Sequence, residues 1–262
     1  MKHRNIIGRM SGEYSTIMAA VAVAAILIGG AGIGGVARAA VVYQENFDGD
    51  SSNLNGHAPD TVSGDFGTSG ATWTASQYFK QNGWANGNPD GGSYFNGNEA
   101  GSAYLPFSPE AGWTYTLQST YRPSDVDSGR WVSAGFFETA TTSDAWDDGE
   151  LAIFISRSET NDTSWHVMVE DNSSLASGAS ADLNNVSDIS TLVDYTIELD
   201  TKLGLDNSVV TWFIEGQQLA QKTLDFSSSG VGEIEYVRLT QQEGSNYTET
   251  EFNDMTLTAV PE

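Results

Sequence analysis

From Trp113 to Tyr121 the side chains alternate without a break. Trp113, Tyr115, Leu117, Ser119 and Tyr121 fall on one side, and Thr114, Thr116, Gln118 and Thr120 on the other. A pleated strand imposes this period of two, whereas a helix needs an apolar stripe at a period of 3.6. The same alternation returns at 130–138, where Trp131 and Phe137 oppose Val132, Ala134 and Phe136. At 150–157 Leu151, Ile153 and Ile155 alternate with Ala152 and Phe154, and at 164–170 Trp165, Val167 and Val169 alternate with His166 and Met168. Enrichment in Thr, Val, Tyr and Trp predicts further strands at 41–47, 102–107, 194–200, 208–215, 218–225, 233–241 and 251–259. No segment after residue 39 shows a helical stripe.

Turn chemistry separates these runs. Glu215-Gly216-Gln217 joins two strand patterns as a tight hairpin, and Asn55-Gly56, Asn82-Gly83, Asn96-Gly97, Asp148-Gly149 and Ser229-Gly230 mark other turns. The polar stretches 49–71 and 171–192 read as loops or excursions at a sheet edge. Many short strands without helices or an internal linker specify one all-β domain over residues 40–259. Its expected form is a two-sheet antiparallel β-sandwich of the jelly-roll kind.

The segment before that domain has a different character. Lys2, Arg4 and Arg9 precede an apolar run from Ile17 to Val36, followed by Ala37-Arg38-Ala39. This is the basic, apolar, small-x-small order of a cleavable secretory signal helix, expected to be cut after Ala39. The run is about twenty residues, enough to span a bilayer, so a retained anchor is the alternative. Gly29-Gly30, Gly32 and Gly34-Gly35 weaken its last turns as a helix. The expected location is outside the cytoplasm, secreted or at the cell envelope, with no membrane span in the mature chain.

Charge and composition narrow the chemistry further. The whole chain has 11 basic and 35 acidic residues, a net charge of −24. Removing residues 1–39 takes four of the basic residues and Glu13, which leaves 7 against 34 and a net charge of −27. Such a surface repels phosphate backbones, so nucleic acid is not an expected partner. The chain has no cysteine, and beyond the signal only His57 and His166. Thiol catalysis and an ordinary zinc site are thereby excluded. His166 sits inside a strand pattern, and no Gly-x-Ser-x-Gly elbow is present.

Several short motifs resemble one family. Tyr195-Thr-Ile-Glu-Leu-Asp200-Thr201 followed by Trp212-Phe-Ile-Glu-Gly216 is similar to a stretch of concanavalin A-like (laminin G-like) jelly-roll domains in exported bacterial proteins. Trp113-Thr-Tyr115-Thr-Leu117 and Trp131-Val-Ser-Ala-Gly135-Phe136 resemble its core strands. Glu45-Asn-Phe47-Asp48 and Phe252-Asn-Asp254-Met-Thr-Leu257 resemble its first and last strands. The last residues, Val260-Pro261-Glu262, resemble the start of a PEP-CTERM sorting tail, here lacking the apolar helix and basic end that follow in that family. The resemblance implies one structural calcium ion where the first and last strands pair, with Asp48 and Asp254 as its candidate ligands; Glu45 of the first strand is a further candidate, since hard carboxylate oxygens suit that ion.

Because the family includes glycan hydrolases, a pair of carboxylates about 5–5.5 Å apart must be sought. The Glu-x-Asp-x-x-Glu string of its hydrolases is absent. Asp147-Asp148-Gly149-Glu150 and Glu249-Thr-Glu251-Phe-Asn-Asp254 come nearest and differ in spacing or neighbours. A lyase needs a base beside a cationic neutraliser, and seven basic residues offer few. Binding has more support. Sugar faces are met by exposed aromatic rings and their hydroxyls by Asn, Asp or Gln, and residues 78–98 concentrate both. Trp84, Asn86, Asn88 and Asp90 are the candidate glycan contacts there, with Trp146 in the acidic loop Asp144–Asp148 as a second ring. The expected function is non-catalytic binding of an extracellular or envelope polysaccharide. The alternatives are a divergent glycoside hydrolase or polysaccharide lyase, and a structural matrix protein without a small ligand.

Overall fold

The structure is a computed structural model. It describes residues 38–47, 53–66, 68–77, 79–80, 93–95, 101–122, 131–138, 140, 151–157, 165–170, 181–183, 193–223, 234–242 and 251–261. In chain order the strands are β1 (Ala40–Glu45), β2 (Thr61–Val62), β3 (Thr74–Ala75), β4 (Phe79–Lys80), β5 (Ser93–Phe95), β6 (Gly101–Pro106), β7 (Trp113–Arg122) and β8 (Trp131–Phe137). They continue as β9 (Leu151–Arg157), β10 (Trp165–Glu170), β11 (Ala181–Leu183), β12 (Val193–Asp200), β13 (Val209–Ile214), β14 (Gln217–Thr223), β15 (Tyr236–Gln242) and β16 (Glu251–Pro261). One 3-10 turn, Leu205–Asn207, is the only helical element among the described residues.

Two antiparallel sheets result. The nine-stranded sheet runs β14-β13-β12-β7-β16-β1-β2, with β5 added on β16 and β4 on β5. The seven-stranded sheet runs β11-β10-β9-β8-β15-β6-β3. The eleven strands expected from alternation are all present, and the face assigned to β7 is the buried one: Tyr115, Leu117, Ser119 and Tyr121 point into the core. Val260 and Pro261 lie within β16, where Pro261 stands opposite Trp113. A proline is tolerated in this place because it ends its strand.

The core lies between the sheets. Tyr115, Leu117, Ile197, Leu199, Val210, Trp212 and Leu257 of the nine-stranded sheet meet Leu105, Val132, Ala134, Phe136, Ile153, Val237 and Leu239 of the other. Tilted and edge-on aromatic pairs set its ends. Phe107 packs on Tyr115 and Phe136 with centroids 5.1 and 5.5 Å apart, and Phe66 packs edge-on to Trp113 and Tyr115 at 4.9 and 5.4 Å. Such pairs contribute beyond their buried area.

Two of the resembling motifs have structural duties. The Thr201 hydroxyl is buried; it donates to the carbonyls of Glu110 (2.6 Å) and Trp113 (2.8 Å) and accepts from the Trp113 amide (3.0 Å). It ties the end of β12 to the entry of β7. Glu215 and Gly216 form the two-residue hairpin loop with φ of 48° and 72°, the left-handed pair of a type I′ turn. Glu215 offsets its unfavourable φ by bonding Asp194 twice, accepting from the Asp194 amide at 2.9 Å and donating its own amide to the Asp194 carbonyl at 2.8 Å.

Candidate functional site

Each strand of a sandwich has a second face turned away from the core. On the seven-stranded sheet that face is assembled by β6, β8, β9 and β15. Because Val237 and Leu239 point inward, Tyr236, Arg238 and Thr240 point outward. The register places Arg238 opposite Tyr104 of β6 and opposite Gly135 of β8, with Gly135 opposite Ala152 of β9. In the next row Thr240 stands between Ser102 and Ser133.

This outer face is polar, yet most of it is buried. Arg238, Thr240, Ser102, Phe137 and Ala152 are fully buried, and Ser133 is nearly so. The Arg238 guanidinium lies over Phe137, its central carbon 3.5 Å from the ring centroid, within the range of a cation–π contact. Ser102 and Thr240 share a hydroxyl hydrogen bond of 2.9 Å. Tyr104 and Tyr236 stack edge-on at 5.0 Å and are half-exposed, forming an open aromatic lip beside the buried guanidinium. The Tyr236 phenol is held above its ordinary pKa by partial desolvation, by the negative charge of neighbouring Glu235 and by its hydrogen bond to that carboxylate.

Gly135 explains itself by distance. A Cβ there would fall 2.2 Å from the Leu151 carbonyl oxygen and 2.7 Å from the Ala152 Cα. Only glycine lets β8 and β9 approach this closely beside Arg238, which accounts for the Gly of the Trp131–Phe136 motif.

The residues singled out from sequence are placed as follows. Trp84, Asn86, Asn88, Asp90, Trp146 and Asp48 lie outside the described residues. Glu45 is buried, and both its carboxylate oxygens are engaged: Oε1 accepts from the Phe47 amide at 2.7 Å and Oε2 from the Trp73 indole at 2.9 Å. Glu45 stands opposite Met255, a core residue, so Asp254 just before it faces the other side of the sheet. There Asp254 Oδ1 accepts from the Thr120 amide at 2.9 Å, and the Thr120 hydroxyl donates to Asp194 at 3.0 Å. The first and last strands pair as expected, but Glu45 and Asp254 do not converge and do not fit one ion between them. No group of three or more metal-ligating side chains occurs among the described residues.

Sequence reasoning missed Tyr104, Tyr236 and Arg238. The available signal was Tyr-Val-Arg-Leu-Thr at 236–240, in which one of the few cations alternates with core residues.

No protein-family model and no curated protein sequence matches the chain. Solved structures do. An endo-1,3-β-glucanase from Streptomyces sioyaensis superposes with a TM-score of 0.56 at 12% identity, over 88% of this chain and all of that one. The fold is a concanavalin A-like β-sandwich. The Emp47p carbohydrate recognition domain (TM-score 0.48, 14% identity, 84% of this chain and 96% of that one) is also similar. So is a structure described with endo-acting O-glycanases of the human gut microbiota (0.49, 13%, 85% and 100%).

Proposed function

We propose that this chain is an exported, non-catalytic glycan-binding protein of the cell envelope or extracellular matrix, and that it binds through the outer face of its seven-stranded sheet. The observation that carries this reading is the half-exposed Tyr104–Tyr236 lip beside a row of hydroxyls and one guanidinium. Aromatic rings stack on the apolar faces of sugars, and Tyr104 and Tyr236 are the half-exposed rings of this face. The fold shared with a glucanase supports a glycan as the ligand class.

Export by the first 39 residues and envelope sorting through Val260-Pro261-Glu262 belong to the same proposal. Tracking the full chain by cell fractionation, with and without a Val260→Asp/Pro261→Asp change, tests both.

One observation favours a second, enzymatic reading. Glu170 of β10 stands opposite Ala152, and so in the ladder row of Gly135, Arg238 and Tyr104.

Affinity electrophoresis in gels containing soluble polysaccharides separates the readings. Binding is expected to fall about tenfold or more in Tyr104→Ala/Tyr236→Ala, a loss of at least ~1.4 kcal/mol, with an unchanged circular dichroism spectrum. A Trp84→Ala variant measures the contribution expected from sequence. Retention unaltered by the double Tyr change rejects this face. Release of reducing ends by the parent but not by Glu170→Gln establishes the enzyme.

A further inference from the structure

The turn between β12 and β13 is anchored at both ends. Thr201 and Ser208 are buried; the Thr201 hydroxyl is tied to the entry of β7, and the Ser208 hydroxyl donates to the carbonyls of Gly204 (3.3 Å) and Leu205 (3.0 Å). Gly204 takes a φ of 93°, its amide donates to the Thr201 carbonyl at 3.0 Å, and the Asn207 amide donates to the Gly204 carbonyl at 3.2 Å. The backbone is held from within, and the side chains between the anchors face water. Two of them are leucines. Leu203 is 78% exposed and Leu205 37%, and they are the exposed large hydrophobic residues among those described. Turns favour Gly, Asn, Asp and Ser for conformational reasons that leucine does not share, so the turn itself gives this pair no role.

The ladder shows what else lies at this end. Ala40, Ala259, Tyr115, Leu199, Val210 and Lys222 form one row across the nine-stranded sheet, and the turn begins two residues beyond it. β1 enters the sheet here, and only Ala37-Arg38-Ala39 separates it from the apolar run that ends at Val36. A link of that length reaches about 14 Å at most. Arg38, Lys202 and Lys222, all exposed, lie along the same end, with Lys202 ion-paired to Asp200 at 3.6 Å. Glu110, Asp200 and Asp206 balance them, so this edge is close to neutral in a chain of net charge −24. Low charge, basic side chains and protruding leucines suit a membrane border, where apolar tips enter the acyl boundary and long basic side chains reach the head groups.

We infer that this end of the domain rests on lipid: with residues 17–36 in a bilayer, Leu203 and Leu205 enter the surface of that same bilayer. The run has the length to cross it. Two leucines hold weakly when the domain diffuses freely, but a tether of a few residues keeps them at high local concentration beside the surface. The contact orients the domain and lasts as long as the run stays attached to Ala40. The Tyr104–Tyr236 face is a separate surface, and binding there stands or falls independently.

The chain has no cysteine, so one introduced thiol can carry a polarity-sensitive fluorophore. Full-length Asp206→Cys, which keeps both leucines, is labelled and reconstituted in phosphatidylcholine–phosphatidylglycerol vesicles. Gln217→Cys, an exposed position at the other end of β13, is the comparison. The inference predicts blue-shifted emission at 206 that brominated phosphatidylcholine quenches, and neither effect at 217. Adding Leu203→Asp/Leu205→Asp to the chain labelled at 206 should abolish both effects with an unchanged circular dichroism spectrum; Leu203→Ser replaces the double change if that variant does not fold. Emission at 206 as wet as at 217 overturns the inference. So does a blue shift that brominated lipid leaves unquenched, which assigns the leucines to a second copy of the chain. Quenching that survives loss of the leucines overturns it as well.

Discussion

Thr201 makes three hydrogen bonds from one buried hydroxyl, and its replacement shows how much the fold depends on single residues. Thr201→Val keeps the shape and leaves the Trp113 amide without this acceptor, while the Trp113 carbonyl keeps the Thr201 amide and the Glu110 carbonyl keeps the Tyr115 hydroxyl. Leaving buried polar groups unsatisfied costs about 1–3 kcal/mol, so chemical denaturation should show a lowered midpoint with an unchanged slope. Gly135→Ala should cost about as much or more, because its Cβ meets backbone rather than a yielding side chain. Asp254 gives a pH signature. Burial is the main cause that raises its pKa from 3.8, the negative charge of Asp194 adds to it, and the Thr120 amide opposes it. A carboxyl with a raised folded-state pKa contributes stability that is fully present below the unfolded value and is lost as pH rises through the folded one. Asp254→Asn keeps an acceptor for the Thr120 amide and cannot ionise. Its thermal midpoint should therefore exceed the parent's near neutral pH, and that advantage should vanish below the ordinary Asp range. An advantage independent of pH would contradict this account.

At the scale of elements, strands long enough to alternate were legible and short ones were not. The ten residues of β7 offer five alternations, and their buried face follows from the sequence alone. β2, β3 and β4 have two residues each, and β5 and β11 three, so no period can be read from them. They exist because a longer neighbour offers an edge, as β1 does for Thr61 and Val62. β2 and β11 fall in the two polar stretches expected to be loops or edge excursions. The hairpin at Glu215-Gly216 was legible because its chemistry is local. The lip and Arg238 were not, since an arginine alternating with valine and leucine reads as a solvated residue until both faces of β15 prove buried. The calcium expectation came from the resemblance, with Glu45, Asp48 and Asp254 as candidates; Asp48 lies outside the described residues, and side-chain alternation turns Glu45 and Asp254 to opposite sides of the sheet. A chelator should therefore leave the thermal midpoint unchanged unless Glu45 abandons the Trp73 indole. A rise at millimolar calcium that Glu45→Gln abolishes would show that it does.

At the scale of the molecule, one sandwich uses its two outer faces differently. The nine-stranded sheet exposes Thr, Gln and carboxylates, including Gln118, Asp194 and Thr256, which suits an acidic protein in water. The seven-stranded sheet hides a polar row and leaves two tyrosines at its margin. The most direct test of this division is the affinity of the full chain for a soluble polysaccharide panel, measured beside Tyr104→Ala/Tyr236→Ala. A loss of about tenfold or more with the fold intact is the result predicted here. Undiminished binding by that variant would place the ligand elsewhere and contradict it.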